Sequence, residues 1–304
     1  MILAENVTKK FDGFCALDKI SCHIPKGCIY GMVGSNGAGK STFLRLITGV
    51  YKTETGKITI DDEVVYNNPR AKNRIAYVPD ELYFLPGASL NRMADFYEAA
   101  YKKFDRVWFR HLADSFGLPE KKAINTFSKG MKRQCATILA LCSKPDHLFF
   151  DETFDGLDPV MRNLVKRLIC QEVVEKETTV IITSHSLREL EDTCDQLALL
   201  HEGGLIFERD IQNLKTTLFK IQTAFDADYN QGYFEGIDIL HYNKKGSVVN
   251  MIVRGDKEEI TGHIKQKNPL LLDILPLSLE EVFTYEMEVL GYQFKELLEV
   301  ENHE

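Results

Sequence analysis

The stretch Gly34-Ser35-Asn36-Gly37-Ala38-Gly39-Lys40-Ser41-Thr42 constrains this chain more than any other. It fits the pattern Gly-x-x-x-x-Gly-Lys-Ser/Thr. Glycines let backbone amides curl around phosphate oxygens with no Cβ in the way. A short apolar run, residues 28–33, leads into the loop, and Phe43, Leu44, Leu46 and Ile47 give helical spacing after it. A helix starting there points its positive N-terminal end at an anion. Lys40 has the reach for the β- and γ-phosphates of a nucleotide, and the Ser41 hydroxyl suits Mg²⁺. A chance glycine turn has no need of a strand before it and a helix after it, so the phosphate-binding reading is favoured.

A second segment, His147-Leu148-Phe149-Phe150-Asp151-Glu152, reads as a buried strand ending in two carboxylates. In an open α/β sheet such a strand delivers its acids to the ligand crevice. Taken alone, two acids at a strand end are equally well a helix N-cap. Beside a phosphate loop, Asp151 reads as a holder of Mg²⁺, usually through water, and Glu152 as the group that polarises an attacking water.

The 304 residues allow one large domain or two smaller ones. Basic residues number 37 and acidic ones 45, a net charge of -8, which argues against a dedicated nucleic-acid binder. The seven cysteines, Cys15, Cys22, Cys28, Cys135, Cys142, Cys170 and Cys194, have scattered spacings and no Cys-x-x-Cys pair. They suggest neither a disulfide framework nor a zinc site, but reduced side chains in a cytosolic protein. No secretory signal is evident at the N-terminus, and no run of eighteen apolar residues offers a membrane span.

Strand-like and helix-like pieces alternate through the first two thirds. Strands are expected at residues 28–33, 57–60, 74–78, 147–150, 179–183 and 196–201, and a helix at 42–48. Residues 82–144 are mainly helical. This alternation predicts a parallel sheet covered on both faces. After about Arg209 the character changes to a small α+β unit: a strand at 221–225, a hairpin over 237–253 turning at Asn243-Lys244-Lys245-Gly246, a helix at 256–267, a strand at 270–275 and a helix at 279–290.

Taken in order, these motifs resemble the ATP-binding subunit of ATP-binding-cassette (ABC) transporters, over about residues 1–208. The resemblance implies an α/β, P-loop NTPase fold: an ABC-type nucleotide-binding domain at 1–208, with a helical subdomain at about 82–145, followed by a C-terminal α+β accessory domain at 209–304. It implies that Gly34, Ser35, Asn36, Gly37, Ala38, Gly39, Lys40, Ser41 and Thr42 bind ATP. Lys40 and Glu152 are also catalytic by this resemblance, and Ser41 and Asp151 hold Mg²⁺. Phe11 stands where the family places an aromatic that stacks on adenine, although a lone Phe is more often core. Phe127-Ser128-Lys129-Gly130-Met131-Lys132 stands at the family's Leu-Ser-Gly-Gly-Gln signature, which serves the nucleotide on the other subunit. Ser128 and Gly130 match it. Lys129 and Met131 depart, leaving a cation either near that phosphate or out in solvent.

Asp158, in Asp155-Gly156-Leu157-Asp158, matches the loop coupling the two sites of a dimer, while Thr153 replaces the usual proline. His185, after Val180-Ile181-Ile182, matches the switch histidine of catalysis. Asp80 stands where the family usually has a Gln that meets Mg²⁺. Its full charge either tightens metal binding or holds the side chain away from the other two acids. The resemblance further implies a head-to-tail homodimer, or a heterodimer with a second ABC subunit, and a separate membrane-spanning partner. The chain is then cytoplasmic, peripheral on the inner face of the cell membrane, and binds no nucleic acid. The loop, the Ser128 variant and the tail look like bacterial exporters of drugs, peptides or bacteriocins. Two rival readings are a soluble ABC-type ATPase acting on DNA or ribosomes, and a low-turnover nucleotide-dependent regulatory binder.

Overall fold

The computed structural model describes residues 1–211, 218–226 and 229–289. The chain divides into two compact units, Met1–Glu208 and Arg209–Glu304. The first contains two sheets. One is antiparallel, in the order β2-β1-β4-β5, with β1 Ile2–Phe11, β2 Phe14–Ile24, β4 Thr55–Ile60 and β5 Glu63–Val64. The other runs β10-β9-β3-β8-β7-β6, with β3 Ile29–Val33, β6 Ile75–Val78, β7 His147–Asp151, β8 Thr179–Ser184, β9 Gln196–His201 and β10 Gly204–Asp210. β3 pairs in parallel with β8 and β9, and β7 in parallel with β6 and β8. Every residue of β3, β7 and β8 is buried, which is why these strands read as continuous apolar runs rather than alternating ones.

The parallel core follows the sequence expectation, but the antiparallel sheet does not. β1 and β2 form a hairpin turning at Asp12-Gly13, both with positive φ (47° and 88°). Their irregular register, with shifts at Ala4/Val7, Val7/Lys9 and Lys9/Lys10, blurs the period of two that sequence reading depends on. β10 also escaped the sequence reading.

Helix α1, Lys40–Ile47, joins the two sheets through one core. Its Phe43, Leu44 and Ile47 share a buried cluster with Ile2, Val7 and Leu17, with Ile58 and Ile60, and with Tyr30, Met32, Phe149 and Ile181 of the parallel sheet. The glycine loop is thus anchored on both sides by buried apolar surface. Gly56 shows how tightly β4 is fitted against β1. Its φ is +78°, and a Cβ there would lie 2.3 Å from the Asn6 carbonyl oxygen. Gly56→Ala is expected to destabilise the chain by about 3 kcal/mol, because backbone must move and the conformation is left-handed. Urea unfolding of the variant measures this.

Between the sheets' elements lie α2, Pro69–Lys72, then α3 Leu90–Ala100, α4 Arg106–Ser115 and α5 Lys129–Cys142. Ser89, Asp105 and Ser128 cap α3, α4 and α5 through side-chain oxygens. Residues 82–89, expected to belong to a helical stretch, precede the first of these helices. α6, Pro159–Lys176, and α7, Leu187–Glu191, complete the unit. All seven cysteines are free, and five are buried. Burial pushes the thiols of Cys28, Cys135 and Cys142 up to about 12, as expected of inert core side chains.

The second unit is a four-stranded antiparallel sheet, β12-β13-β11-β14, with β11 Leu218–Ala224, β12 Asp238–Lys245, β13 Val248–Arg254 and β14 Leu271–Leu275. α8, Lys257–Lys265, buries Ile260 and Ile264 in a core with Phe219, Ile221, Val249, Met251 and Val253. α9 spans Leu279–Val289, and Leu290, expected as its last residue, lies outside the described residues. Among the described residues no helix is long and apolar enough to cross a membrane.

Candidate functional site: a phosphate loop facing two carboxylates

The parallel sheet brings the sequence motifs together by register. Val33, the last residue of β3, pairs with Ser184 of β8, and Thr183 of β8 pairs with Asp151 of β7. Three strands therefore end side by side, carrying the glycine loop, the two acids and His185. This is the crevice at the carboxyl ends of an open α/β sheet.

The loop leaves β3 at Gly34, where a Cβ would sit 2.4 Å from the Leu200 carbonyl oxygen. It ends at Gly39, whose φ of +107° and contact with Leu17 and Ala16 again exclude a side chain. Gly39 is the N-cap of α1, with no side-chain cap and no acid in the first turn. The first turn thus adds no carboxylate of its own to compete with an anion for the leading amides. Ser35, Asn36 and Gly37 are exposed, Ala38 is buried, and Ser41 and Thr42 are half-buried.

Lys40 is 5% exposed. Its ammonium donates to the carbonyls of Gly34 (2.6 Å) and Ser35 (3.2 Å), and pairs with Glu152 Oε1 at 3.2 Å. The other Glu152 oxygen lies 3.0 Å from His185 Nδ1. Glu152 is thus held between a buried lysine and an exposed histidine. Its φ of +48° is unusual for a residue with a side chain, and such strain gathers at working sites. The Thr183 hydroxyl accepts the Glu152 N–H at 3.1 Å and helps fix this turn.

Asp151 is fully buried. Its Oδ1 accepts from Ser41 Oγ (3.0 Å) and Thr183 Oγ1 (2.7 Å), and its Oδ2 from the Tyr77 hydroxyl (3.1 Å). Burial and the neighbouring Asp151 charge push the Tyr77 hydroxyl's pKa well up, keeping it a donor. A hydroxyl and a carboxylate oxygen converging at 3.0 Å beside the loop form a hard, all-oxygen donor set. That set fits Mg²⁺, which takes one or two protein oxygens and fills its shell with water and phosphate.

Asp80, the third residue named for Mg²⁺, stands on the loop after β6 and is 48% exposed at its side chain. Its Oδ1 accepts from Arg133 Nη2 at 2.9 Å, and Arg133 is 1% exposed. Arg133 also donates to the carbonyls of Pro79 and Asp80 at 3.1 Å each. The extra carboxylate is used to tie the loop after β6 to α5. Phe11 sits at the end of β1, 36% exposed, edge-on to Tyr51 at 5.3 Å. One ring face is crossed by Lys9 at 5.0 Å.

Ser128 caps α5 by accepting from Met131 N–H at 3.2 Å. The Lys129 cation is not left alone in solvent: it pairs with Asp155 at 2.7 Å. Gly130 lies so close to Gly156 that a Cβ would approach its carbonyl oxygen to 2.8 Å. Asp158 caps α6, accepting from Val160 and Met161 N–H at 3.0 Å each. Thr153, in the usual proline position, is wholly buried. The contributions of Tyr77, Thr183 and Arg133 were not foreseen. All three flank motifs, but only the fold shows which oxygen or carbonyl they meet.

The sequence profile of the ABC transporter family matches residues 17–155. The ABC transporter ATP-binding protein YtrB of Bacillus subtilis (strain 168) is 32% identical over 93% of this chain and 97% of its own length. The linearmycin resistance ATP-binding protein LnrL of the same organism is 34% identical over 68% of each chain. A solved ATP-binding subunit of an ABC transporter superposes with a TM-score of 0.65 at 22% identity, covering 71% of this chain and 92% of that one. With a phosphate loop facing two strand-end carboxylates, and near full-length similarity to such a relative, the chain belongs to the family of ABC transporter ATP-binding proteins and is an ATPase subunit of a transporter.

Proposed function

We propose that the chain hydrolyses ATP with the residues gathered at the ends of β3, β7 and β8, and that hydrolysis drives a separate membrane-spanning exporter. The observation that carries this reading is the double hold on Glu152, with Lys40 at 3.2 Å and His185 at 3.0 Å on its two oxygens. Lys40 and the leading amides of α1 bind the outer phosphates. Phosphate arriving at Lys40 competes with Glu152 for the ammonium and frees that carboxylate to accept a proton from the attacking water. His185 orients Glu152 during this step. Phe11 offers a half-exposed ring to the adenine. Mg²⁺, when held by Ser41 and Asp151, neutralises phosphate charge. Positioning and charge compensation do most of the catalytic work in such phosphoryl transfers.

Each chain carries one phosphate loop and one Ser128–Gly130 segment, so two chains are needed to enclose a nucleotide between them. The assembly is a head-to-tail dimer, of two copies or of this chain with a second ABC subunit. It acts on the inner face of the cell membrane. Residues 209–304 form its accessory domain, a reading supported by the separate core around Ile221 and Met251. The likeness to a linearmycin resistance protein supports export of a drug or peptide-like molecule.

Tagged chain purified from detergent-solubilised membranes is expected to bring down a multi-spanning protein that stimulates its hydrolysis. Recovery with ribosomes or nucleic acid instead would overturn the transporter reading in favour of a soluble ABC ATPase.

A further inference from the structure

The ion pair between Lys129 and Asp155 joins two segments with different tasks. Lys129 is the first residue of α5, directly after Ser128. Asp155 lies in the loop that starts at Glu152 and ends at Asp158, the cap of α6. The Lys129 ammonium is 2.7 Å from Asp155 Oδ2. Its stem runs along Gly156, where an added Cβ would find Lys129 Cδ at 3.6 Å and Cε at 3.8 Å. One residue on, Gly130 lies against the Gly156 carbonyl closely enough to exclude a side chain. The hydrogen bond and charge of Lys129 hold the Asp155 carboxyl below its usual range. At the loop's other end, the Asp155 N–H donates to the Glu152 carbonyl at 3.2 Å. A continuous path of contacts thus runs from Lys40 through Glu152 and Asp155 to Lys129 and Ser128.

We propose that Lys129 is a positioning residue whose ion pair with Asp155 couples the two nucleotide sites of the dimer. The inference rests on the head-to-tail reading above and deepens it. Glu152 serves the nucleotide on its own chain, whereas Ser128 is presented to the nucleotide on the partner. Tying the two segments in one chain makes a shift of the Glu152 loop at one site move Ser128 at the other. Both side chains are largely solvent-facing, 68% and 46% exposed, so the pair adds little to stability. An ion pair of that kind acts by fixing relative position, and it is weakened by salt.

The test is steady-state ATP hydrolysis by the full-length chain in its transporter complex, fitted for cooperativity. The wild type is expected to give a Hill coefficient approaching the number of sites, about 2. Lys129→Ala and Asp155→Ala are each expected to bring it towards 1, while ADP binding to the isolated subunit is unchanged. The charge swap Lys129→Asp with Asp155→Lys is expected to restore cooperativity, since an acid is favourable in the first turn of α5. Raising ionic strength from about 0.01 M to about 0.15 M shortens the screening length from about 30 Å to about 8 Å. That change is expected to lower the wild-type coefficient and leave Lys129→Ala unaffected.

The proposal is overturned if Lys129→Ala keeps full cooperativity. It is also overturned if the single variants lose activity without rescue by the swap, for then Lys129 acts on the nucleotide itself. A Glu152→Gln chain that forms no ATP-dependent dimer, either with itself or with a second ABC subunit of its complex, sinks the head-to-tail reading and this inference with it. Dimerisation with unchanged cooperativity in the Lys129 variants sinks only the inference.

Discussion

Glu152→Gln is expected to bind ATP while losing about 10²–10⁴-fold in turnover, the usual contribution of a general base. The amide is nearly isosteric with the carboxylate, so it keeps the backbone turn at φ +48° and a hydrogen bond with His185 Nδ1. What it lacks is the charge that accepts a proton from water. It also lacks the charge that competes with phosphate for Lys40 at 3.2 Å. ATP affinity is therefore expected to hold or rise, and the ATP-bound dimer to accumulate. Gel filtration with ATP and Mg²⁺ reads the dimer, and single-turnover kinetics read the chemical step. Near-normal steady-state hydrolysis by this variant would remove Glu152 from the mechanism.

Lys40→Ala is expected to weaken ATP binding by at least about a hundredfold, or roughly 3 kcal/mol, the scale of removing a charge-assisted hydrogen bond from a buried site. Two effects add. The phosphates are deprived of their buried cation, and the Glu152 carboxylate, 14% exposed, is left facing them without its counter-charge. The carbonyls of Gly34 and Ser35 are also deprived of the donor that the ammonium supplies. Titration with a fluorescent ATP analogue measures the change. Unchanged affinity would show that the loop amides alone hold the nucleotide, and the role given to Lys40 would fall.

Much of the site was legible because its motifs are local. A glycine loop, a strand ending in two acids and a histidine after an apolar run each declare themselves within ten residues. Their chemistry follows from residue type and spacing. The buried parallel strands were legible for the same reason: strands covered on both faces need unbroken apolar runs. The N-terminal hairpin was less so, because its register shifts break the alternation that marks a half-buried strand.

Asp80 and Lys129 show where local reading stops. Both put a charge where the family pattern has none, and residue type alone left two fates open for each. The fates depend on partners far along the chain. Asp80 meets Arg133, 53 residues away, and Lys129 meets Asp155, 26 residues away. Tyr77 and Thr183 were invisible as site residues for the same reason, since Asp151 lies 74 and 32 residues from them.

The sequence by itself determined that this chain binds a nucleoside triphosphate, carries two acids suited to its hydrolysis and belongs among the ABC ATP-binding subunits. Backbone freedom, helix polarity and residue chemistry are properties of short segments and survive without knowledge of the fold. Only the tertiary structure decided which charge neutralises which. The packing of β3, β8 and β7 in register sets Glu152 between Lys40 and His185, while α5 brings Arg133 to Asp80 and Lys129 to Asp155. Electrostatic partnership falls off over a few ångströms of space, and distance along the chain carries no information about it.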